Sequence, residues 1–74
     1  MNVMRAKYKV DSVTKTDNAS EIIKLSAVTN GTPEDNTFHK YTPYGNMDIT
    51  ITNPVLLGVI EPGQKYYLDF TLAD

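Results

Sequence analysis

Residues 34–45 show no clear period and are predicted to form a long loop. They carry the side chains of this 74-residue chain that are best suited to contacting a ligand. The segment holds three of the seven aromatic residues and the only histidine, together with amide, hydroxyl and ammonium groups. Aromatic rings stack on nucleobases, an ammonium group binds phosphate, and amides and hydroxyls bond to base edges or to the sugar. Such a set suits a small nucleotide. The predicted ligand-binding residues are Asn36, Phe38, Lys40, Tyr41, Thr42 and Tyr44.

The same residues also have a plainer interpretation, in which they serve only the fold. Phe38 and Tyr41 would cover one end of a sheet, and residues 42–45 would only be the turn into the next strand. His39 alternates away from Phe38 and is expected to face solvent. The adjacent carboxylates Glu34 and Asp35 are expected to be solvated or to cap a turn.

Catalysis is not predicted. A nucleophilic mechanism needs a nucleophile, a base and an orienting group, and the chain has no cysteine and a single histidine, His39. One histidine is too few for a histidine zinc site, the acidic residues do not match a calcium-loop spacing, and no glycine-rich phosphate loop occurs. We therefore expect no catalytic residues, no metal and no cofactor, and a protein that acts by binding.

Composition limits the size and the partners of the protein. Seven basic and nine acidic residues give a net charge of −2, which argues against binding long nucleic acids. No apolar run has the length of a membrane span or the form of a signal peptide, so we expect a cytoplasmic protein.

We expect one domain, residues 1–74. Because so short a chain has a marginal core and this one has no cysteine, a homo-oligomer is the expected supplement.

Alternation of apolar and polar residues predicts the first two strands. The first begins near residue 4, and Val13 breaks its parity, which predicts a bulge near Ser12. Turn-forming residues at 17–20 predict an antiparallel hairpin with a second strand over 21–29. The residues expected to face the core are Met4, Ala6, Tyr8, Val10, Ile23, Leu25 and Ala27.

Two further strands are predicted over residues 46–52 and 65–73, and a turn over 61–64 is indicated by its proline and glycine. Inward positions in these strands are Met47, Ile49, Ile51, Tyr66, Leu68, Phe70 and Leu72. Asn53 and Pro54 suit a helix start, so a short helix over 54–60 is favoured over an extended segment. The expected fold is mainly β: a small antiparallel sheet or partly open barrel of about four strands with one short helix, in an oligomer.

Outside residues 34–45, Tyr67 and a row of basic residues are candidates for binding. Tyr66 and Tyr67 point to opposite faces of a strand, so Tyr67 is expected at the surface, at a subunit interface or against a ligand. Arg5, Lys7 and Lys9 alternate on the outer side of the first strand. Such a row usually protects an edge strand from aggregation, and the alternative is an anion site between subunits.

Two groups of short motifs carry a resemblance to a known family: Glu34…Phe38…Thr42-Pro43-Tyr44-Gly45 and Pro62-Gly63…Tyr66-Tyr67…Asp69-Phe70. Together with Arg5-Ala6-Lys7-Tyr8-Lys9-Val10 and the second strand, the chain resembles the small bacteriophage anti-CBASS cyclic-nucleotide sponges over most of its length. One position departs from the pattern. The family has Asn directly after the Glu34 position, whereas this chain has Asp35 there and Asn36 next.

The resemblance implies a phage protein in the host cytoplasm that sequesters cyclic dinucleotide signals, such as 3′,3′-cyclic GMP–AMP, without cleaving them. It also implies a homo-oligomer, with a tetramer expected. Two other classes stay open. One is a small phage protein that inhibits a host protein by docking through a sheet edge or Tyr67. The other is a weak binder of single-stranded nucleic acid.

Overall fold

The computed structural model describes residues 4–16 and 19–73. In this part of the chain four antiparallel strands form one open sheet in the order β3-β2-β1-β4, with one α-helix beside it. The elements are β1 Met4–Lys15, β2 Glu21–Ala27, α1 Pro33–Tyr41, β3 Asn46–Ile51 and β4 Lys65–Phe70. The predicted mainly β fold with about four strands and one short helix is confirmed, as an open sheet.

Strands β1 and β2 form the predicted antiparallel hairpin. Residues 17 and 18 of its predicted turn lie outside the described residues. The register shifts between Val10 and Ser12, which confirms the predicted bulge. Because one extra residue reverses the side-chain alternation, Val13 returns to the core side of the sheet opposite Ile23.

The core lies on the inner face of the sheet, which is defined by the buried residues Val10, Ile23 and Leu25. Half-buried residues from β1, β3 and β4 and from the segment before β4 pack against it, namely Tyr8, Val13, Met47, Ile49, Ile51, Ile60 and Tyr66. The predicted inward parity is confirmed in β2 and β3. It fails where β1 begins and β4 ends: Met4 and Phe70 are exposed, and Leu72 is 96% exposed beyond the end of β4.

The helix lies where a loop is predicted. Most of residues 34–45 belong to α1, whose start carries regular helix signals: Thr32 Oγ1 accepts a hydrogen bond from the Asp35 N–H at 3.1 Å, and Pro33 occupies the first turn. The loop prediction is wrong because hydrophobic periodicity detects a helix by its apolar stripe, and α1 has no such stripe. The buried residue of α1 is a carboxylate, Asp35.

Residues 54–59 form turns, so the predicted helix over 54–60 is wrong. Asn53 Oδ1 does accept from the Val55 N–H at 3.1 Å, as a cap would. The hydrogen bonds that follow, Leu56 N–H to Asn53 O and Val59 N–H to Leu56 O, span only three residues each. The predicted turn over 61–64 is confirmed by the bond from its last N–H to its first carbonyl and by a φ of 89° at Gly63.

Candidate ligand-binding site

Charged side chains attach α1 to the outer face of the sheet, which is defined by Arg5, Lys7 and Tyr67. Asp35 is only 1% exposed. Lys7 Nζ lies 2.7 Å from Asp35 Oδ1, and Lys65 Nζ bonds to Asp35 Oδ2. Hydrogen bonds from Lys65 and Lys7 hold the pKa of Asp35 well below its usual value, although burial opposes this. The carboxylate is therefore charged and paired, and the expectation that it is solvated is wrong.

Glu34 extends the same network towards solvent. Its Oε1 accepts hydrogen bonds from Lys7 Nζ at 2.7 Å and from the Tyr67 hydroxyl at 2.6 Å. These two bonds lower the pKa of Glu34, and the bond to Glu34 raises the pKa of Tyr67. Lys7, which bonds to Asp35 and Glu34, has a raised pKa. The network therefore holds its groups in their ordinary charge states at neutral pH.

The basic row on β1 is largely neutralised within the chain. Arg5 binds Asp69 through two hydrogen bonds of 2.7 and 2.9 Å, and Lys7 is paired with α1. Since β1 lies between β2 and β4, the prediction that the row protects an edge strand is wrong. Arg5 also lies 4.9 Å from the centre of the Tyr67 ring, so this tyrosine is not a free stacking surface.

Three of the six predicted ligand residues make contacts that hold α1 in place. Asn36 Oδ1 accepts from the Gly31 N–H at 2.9 Å, which ties the helix to the preceding turn. Phe38 is half-buried, with its ring centre 5.9 Å from that of Tyr67. Thr42 is half-buried, and its N–H closes the helix by donating to Phe38 O at 2.8 Å.

The other three predicted residues, Lys40, Tyr41 and Tyr44, form an accessible group that we call the tyrosine–lysine surface. Tyr41 is 75% exposed and Tyr44 is 90% exposed. Lys40 Nζ lies 5.4 Å from the centre of the Tyr41 ring and forms no salt bridge with any residue in 4–16 or 19–73. The Tyr44 ring, the face of Tyr41 away from Lys40 and an ammonium group without a salt bridge among these residues are therefore accessible to a ligand.

The chain on either side of this surface is held against the sheet. Gly45 O accepts from the Ala27 N–H at 3.0 Å, and a Cβ at Gly45 would overlap the Tyr8 hydroxyl and lie 2.9 Å from Tyr8 Cζ. His39 is half-buried, with Nδ1 3.1 Å from Val28 O, so the prediction that it faces solvent is wrong. The tyrosine rings are thus displayed from a fixed backbone.

Sequence reasoning missed two buried carboxylates, and each had a detectable signal. Asp35 occupies the third helical position after the Thr32 cap, where acidic residues are favoured. Glu21 is buried on the inner face. The sequence indicates this because Glu21 has the same parity in β2 as the apolar residues Ile23 and Leu25.

Within the described part of the chain, no group of three His, Cys, Asp or Glu side chains could hold a metal ion. No helix there is long and apolar enough to cross a bilayer. A comparison of the chain with protein-family models, curated proteins and solved structures found no match.

Proposed function

We propose that this protein is a phage-encoded sponge, which sequesters cyclic dinucleotide immune signals such as 3′,3′-cyclic GMP–AMP without cleaving them and so blocks host CBASS defence. The resemblance to small phage sponges suggests the ligand. The observation that carries the proposal is the high exposure of Tyr41 and Tyr44, together with a Lys40 that contacts the Tyr41 ring and forms no salt bridge with the described residues.

The chemistry of this surface matches the two parts of a nucleotide. A tyrosine ring that stacks on a base contributes about 1–3 kcal/mol. Lys40 supplies a charge-assisted hydrogen bond to phosphate. Because the chain has a net charge of −2, such a local cation suits a small anionic ligand better than a long polyanion.

The proposal includes a homo-oligomer, with a tetramer expected, whose ligand sites form where neighbouring subunits meet. A cyclic dinucleotide has two bases and two phosphates, so two facing tyrosine–lysine surfaces would contact it more completely than one. The exposed side chains of Met4, Phe70 and Leu72 support association, because burying them against another subunit would remove apolar surface from water.

Calorimetry with 3′,3′-cyclic GMP–AMP, cyclic di-GMP and cyclic di-AMP tests the proposal. We expect saturable binding of at least one of these ligands. The Tyr44→Ala variant should bind roughly 5- to 100-fold more weakly, whereas Tyr44→Phe, which keeps the ring, should bind nearly as well as the parent. Lys40→Gln should also weaken binding, and Lys24→Gln, which changes an exposed lysine on β2, is its control.

Two results would contradict the proposal. One is that no member of the panel binds with a dissociation constant of tens of micromolar or lower. That limit corresponds to a binding free energy of roughly −6 to −7 kcal/mol. The other is recovery of cleaved nucleotide after the complex is denatured, because a sponge must return its ligand intact.

A second candidate function is docking on a host protein by strand addition. Within the described residues, β3 and β4 each pair on one side only, so both present an unpaired backbone edge. Tyr67, the other predicted docking residue, is occupied by contacts with Arg5 and Glu34. Capture of one tight host partner by a protein that binds no nucleotide would favour this function.

A further inference from the structure

Strand β3 directs one row of backbone groups away from the sheet. Gly45 O accepts a hydrogen bond from the Ala27 N–H, and opposed residues of an antiparallel ladder alternate between bonded and non-bonded pairs. The odd-numbered residues of β3 are therefore bonded to β2, and the even-numbered residues direct their N–H and C=O groups to the free side. We call this row the β3 edge, and its members are Asn46, Asp48 and Thr50.

The β3 edge lacks the features by which proteins usually protect an edge strand. Such features are proline, lysine and β-bulges, and β3 has none of them. The side chains of the edge are exposed and form no salt bridge with residues 4–16 or 19–73. On the opposite edge of the sheet, the corresponding side chains of β4 are already bonded within the chain, namely those of Lys65, Tyr67 and Asp69.

The inner side of β3 is also incompletely covered. Its apolar residues Met47, Ile49 and Ile51 pack against the core but stay half-buried. Their neighbours on β2, Ile23 and Leu25, are 0% and 5% exposed. The difference arises because β3 has a neighbouring strand on one side only within the described residues. A strand added at the β3 edge would cover these apolar side chains and give the free amides partners.

We propose that the added strand is the β3 of a second copy of this chain, paired antiparallel about Ile49, so that two sheets become one of eight strands. In this register Asp48 lies opposite Thr50 of the partner subunit, and Met47 lies opposite the partner's Ile51. A twofold axis at Ile49 repeats both contacts, as a symmetric dimer requires. The inference names one interface of the proposed homo-oligomer and rests on that part of the proposed function.

The sequence of β3 favours this register over its neighbours. Pairing about Asp48 would place two carboxylates directly opposite each other, which is destabilising. Pairing about Thr50 or a later residue would extend the ladder to Pro54, which has no N–H to donate. Pairing one residue before Asp48 would set Ile49 against Gly45, which has no side chain to pack. The strand is thus complementary to itself, which selects a second copy over an unrelated partner.

This dimer holds the two tyrosine–lysine surfaces apart. Tyr44 lies five residues before Ile49, so the two copies of Tyr44 would be separated by roughly 33 Å along the paired strands. Surfaces that face each other must then form across a second interface. A tetramer built from two such dimers supplies one, and the exposed apolar side chains of Phe70 and Leu72 lie outside the β3 edge and are free to form it.

Thr50 tests the register by charge. Its side chain is exposed and lies opposite Ile22 within the chain, so a charged side chain there should leave the fold intact. In the dimer the contact between Thr50 and Asp48 occurs twice. Thr50→Asp should therefore weaken the dimer roughly 2- to 30-fold, and Thr50→Lys should strengthen it by a similar factor. Sedimentation equilibrium gives both constants. Thr29→Asp and Thr29→Lys, which introduce the same charges outside β3, should leave the constant unchanged.

Hydrogen exchange on the ¹⁵N-labelled parent chain tests the pairing without any variant. Exchange of the Asp48 and Thr50 amides should slow roughly 10-fold or more as the protein concentration rises from about 10 µM to about 1 mM. The Tyr67 amide is the control, because it points to the free side of β4 and should keep its rate.

The inference is overturned if the Asp48 and Thr50 amides gain no protection, or if Thr50→Asp and Thr50→Lys change the dissociation constant in the same direction. Protection that appears only when a host protein is added would also overturn it, and would favour docking on that protein. An oligomer whose mass is indifferent to charge at Thr50 would overturn this interface and leave the sponge proposal standing. A β3 dimer that binds no cyclic dinucleotide would do the reverse.

Discussion

Lys7 Nζ lies 2.7 Å from Asp35 Oδ1, and the carboxylate that it contacts is almost fully buried. Lys65 bonds to the other oxygen of the same carboxylate, so one side chain of α1 joins two neighbouring strands, β1 and β4. The helix that presents the tyrosine–lysine surface is thus attached to the sheet largely by charge. This attachment makes the position of the surface sensitive to single substitutions and to pH.

Replacement of Asp35 by Asn should destabilise the protein strongly. The variant keeps the side-chain volume but leaves Lys7 and Lys65 without their shared buried anion, which is costly in a partly desolvated site. We expect the melting temperature followed by circular dichroism to fall by roughly 10 °C or more.

Asp69→Asn is the matched control for that substitution. It also breaks an ion pair with a basic residue of β1, Arg5, but both partners are well exposed. Exposed pairs contribute little to stability, so the melting temperature should barely move. Equal losses in the two variants would mean that burial of Asp35 does not matter to the fold.

Stability should depend on pH at both ends of the range. The folded chain holds the pKa of Asp35 and Glu34 below their unfolded values, so the unfolded state binds more protons in acid. Their contribution is fully present above about pH 5 and is lost as pH falls through the folded pKa values. The pKa of Tyr67 is raised, so its contribution is present below about pH 10 and is lost at higher pH.

Urea unfolding midpoints measured from pH 2 to pH 11 would show this as a plateau between an acid and an alkaline limb. Tyr67→Phe should make the alkaline limb shallower, with a remainder from the raised pKa of Lys7, and leave most of the acid limb in place. Asp35→Asn should flatten the acid limb. An acid limb of unchanged depth in Asp35→Asn would rule out this carboxylate as its source.

Gly45→Ala should destabilise the protein although Gly45 is not among the glycines with a positive φ. The added Cβ would overlap the Tyr8 hydroxyl, so overpacking should lower the free energy of unfolding by about 1–3 kcal/mol. In a Tyr8→Phe background the cost should be smaller, because the overlapping oxygen is gone. Recovery should be partial, since the Cβ would still lie 2.9 Å from Cζ of residue 8.

A double-mutant cycle measured by chemical denaturation quantifies that coupling. If Gly45→Ala costs the same with Tyr8 and with phenylalanine at that position, the close approach of Gly45 to the hydroxyl is not what requires glycine.

The apolar corner formed by Met4, Phe70 and Leu72 should control the proposed oligomer. Phe70→Ser combined with Leu72→Ser should lower the mass measured by light scattering, because it removes apolar surface that association would bury. Val55→Ser changes another exposed apolar residue, 79% exposed and outside the corner, and should leave the mass unchanged. A monomeric parent protein would contradict the oligomer and the shared ligand sites together.

The sequence by itself determined the parts of the fold that depend on neighbouring residues. Period-two alternation identified the strands, the break in parity at Val13 located the bulge, and proline with glycine identified the turn over 61–64. Each of these signals acts over a few residues, because side-chain alternation and backbone angles are local properties. The helix signals at Thr32 and Pro33 were equally local, but α1 lacks the apolar stripe by which helices are usually recognised.

Only the tertiary structure decided which charged groups meet. Arg5 pairs with Asp69 across 64 positions, and Asp35 contacts Lys65 across 30. Those pairings depend on the placement of β1 beside β4 and of α1 on the outer face, and hydrophobic periodicity carries no information about either. The same placement left Lys40, Tyr41 and Tyr44 accessible while Asn36, Phe38 and Thr42 became part of the scaffold. The chain pattern predicted the segment of the candidate surface, and the contacts of α1 with the sheet and with its neighbouring turns decided which of its residues stay accessible.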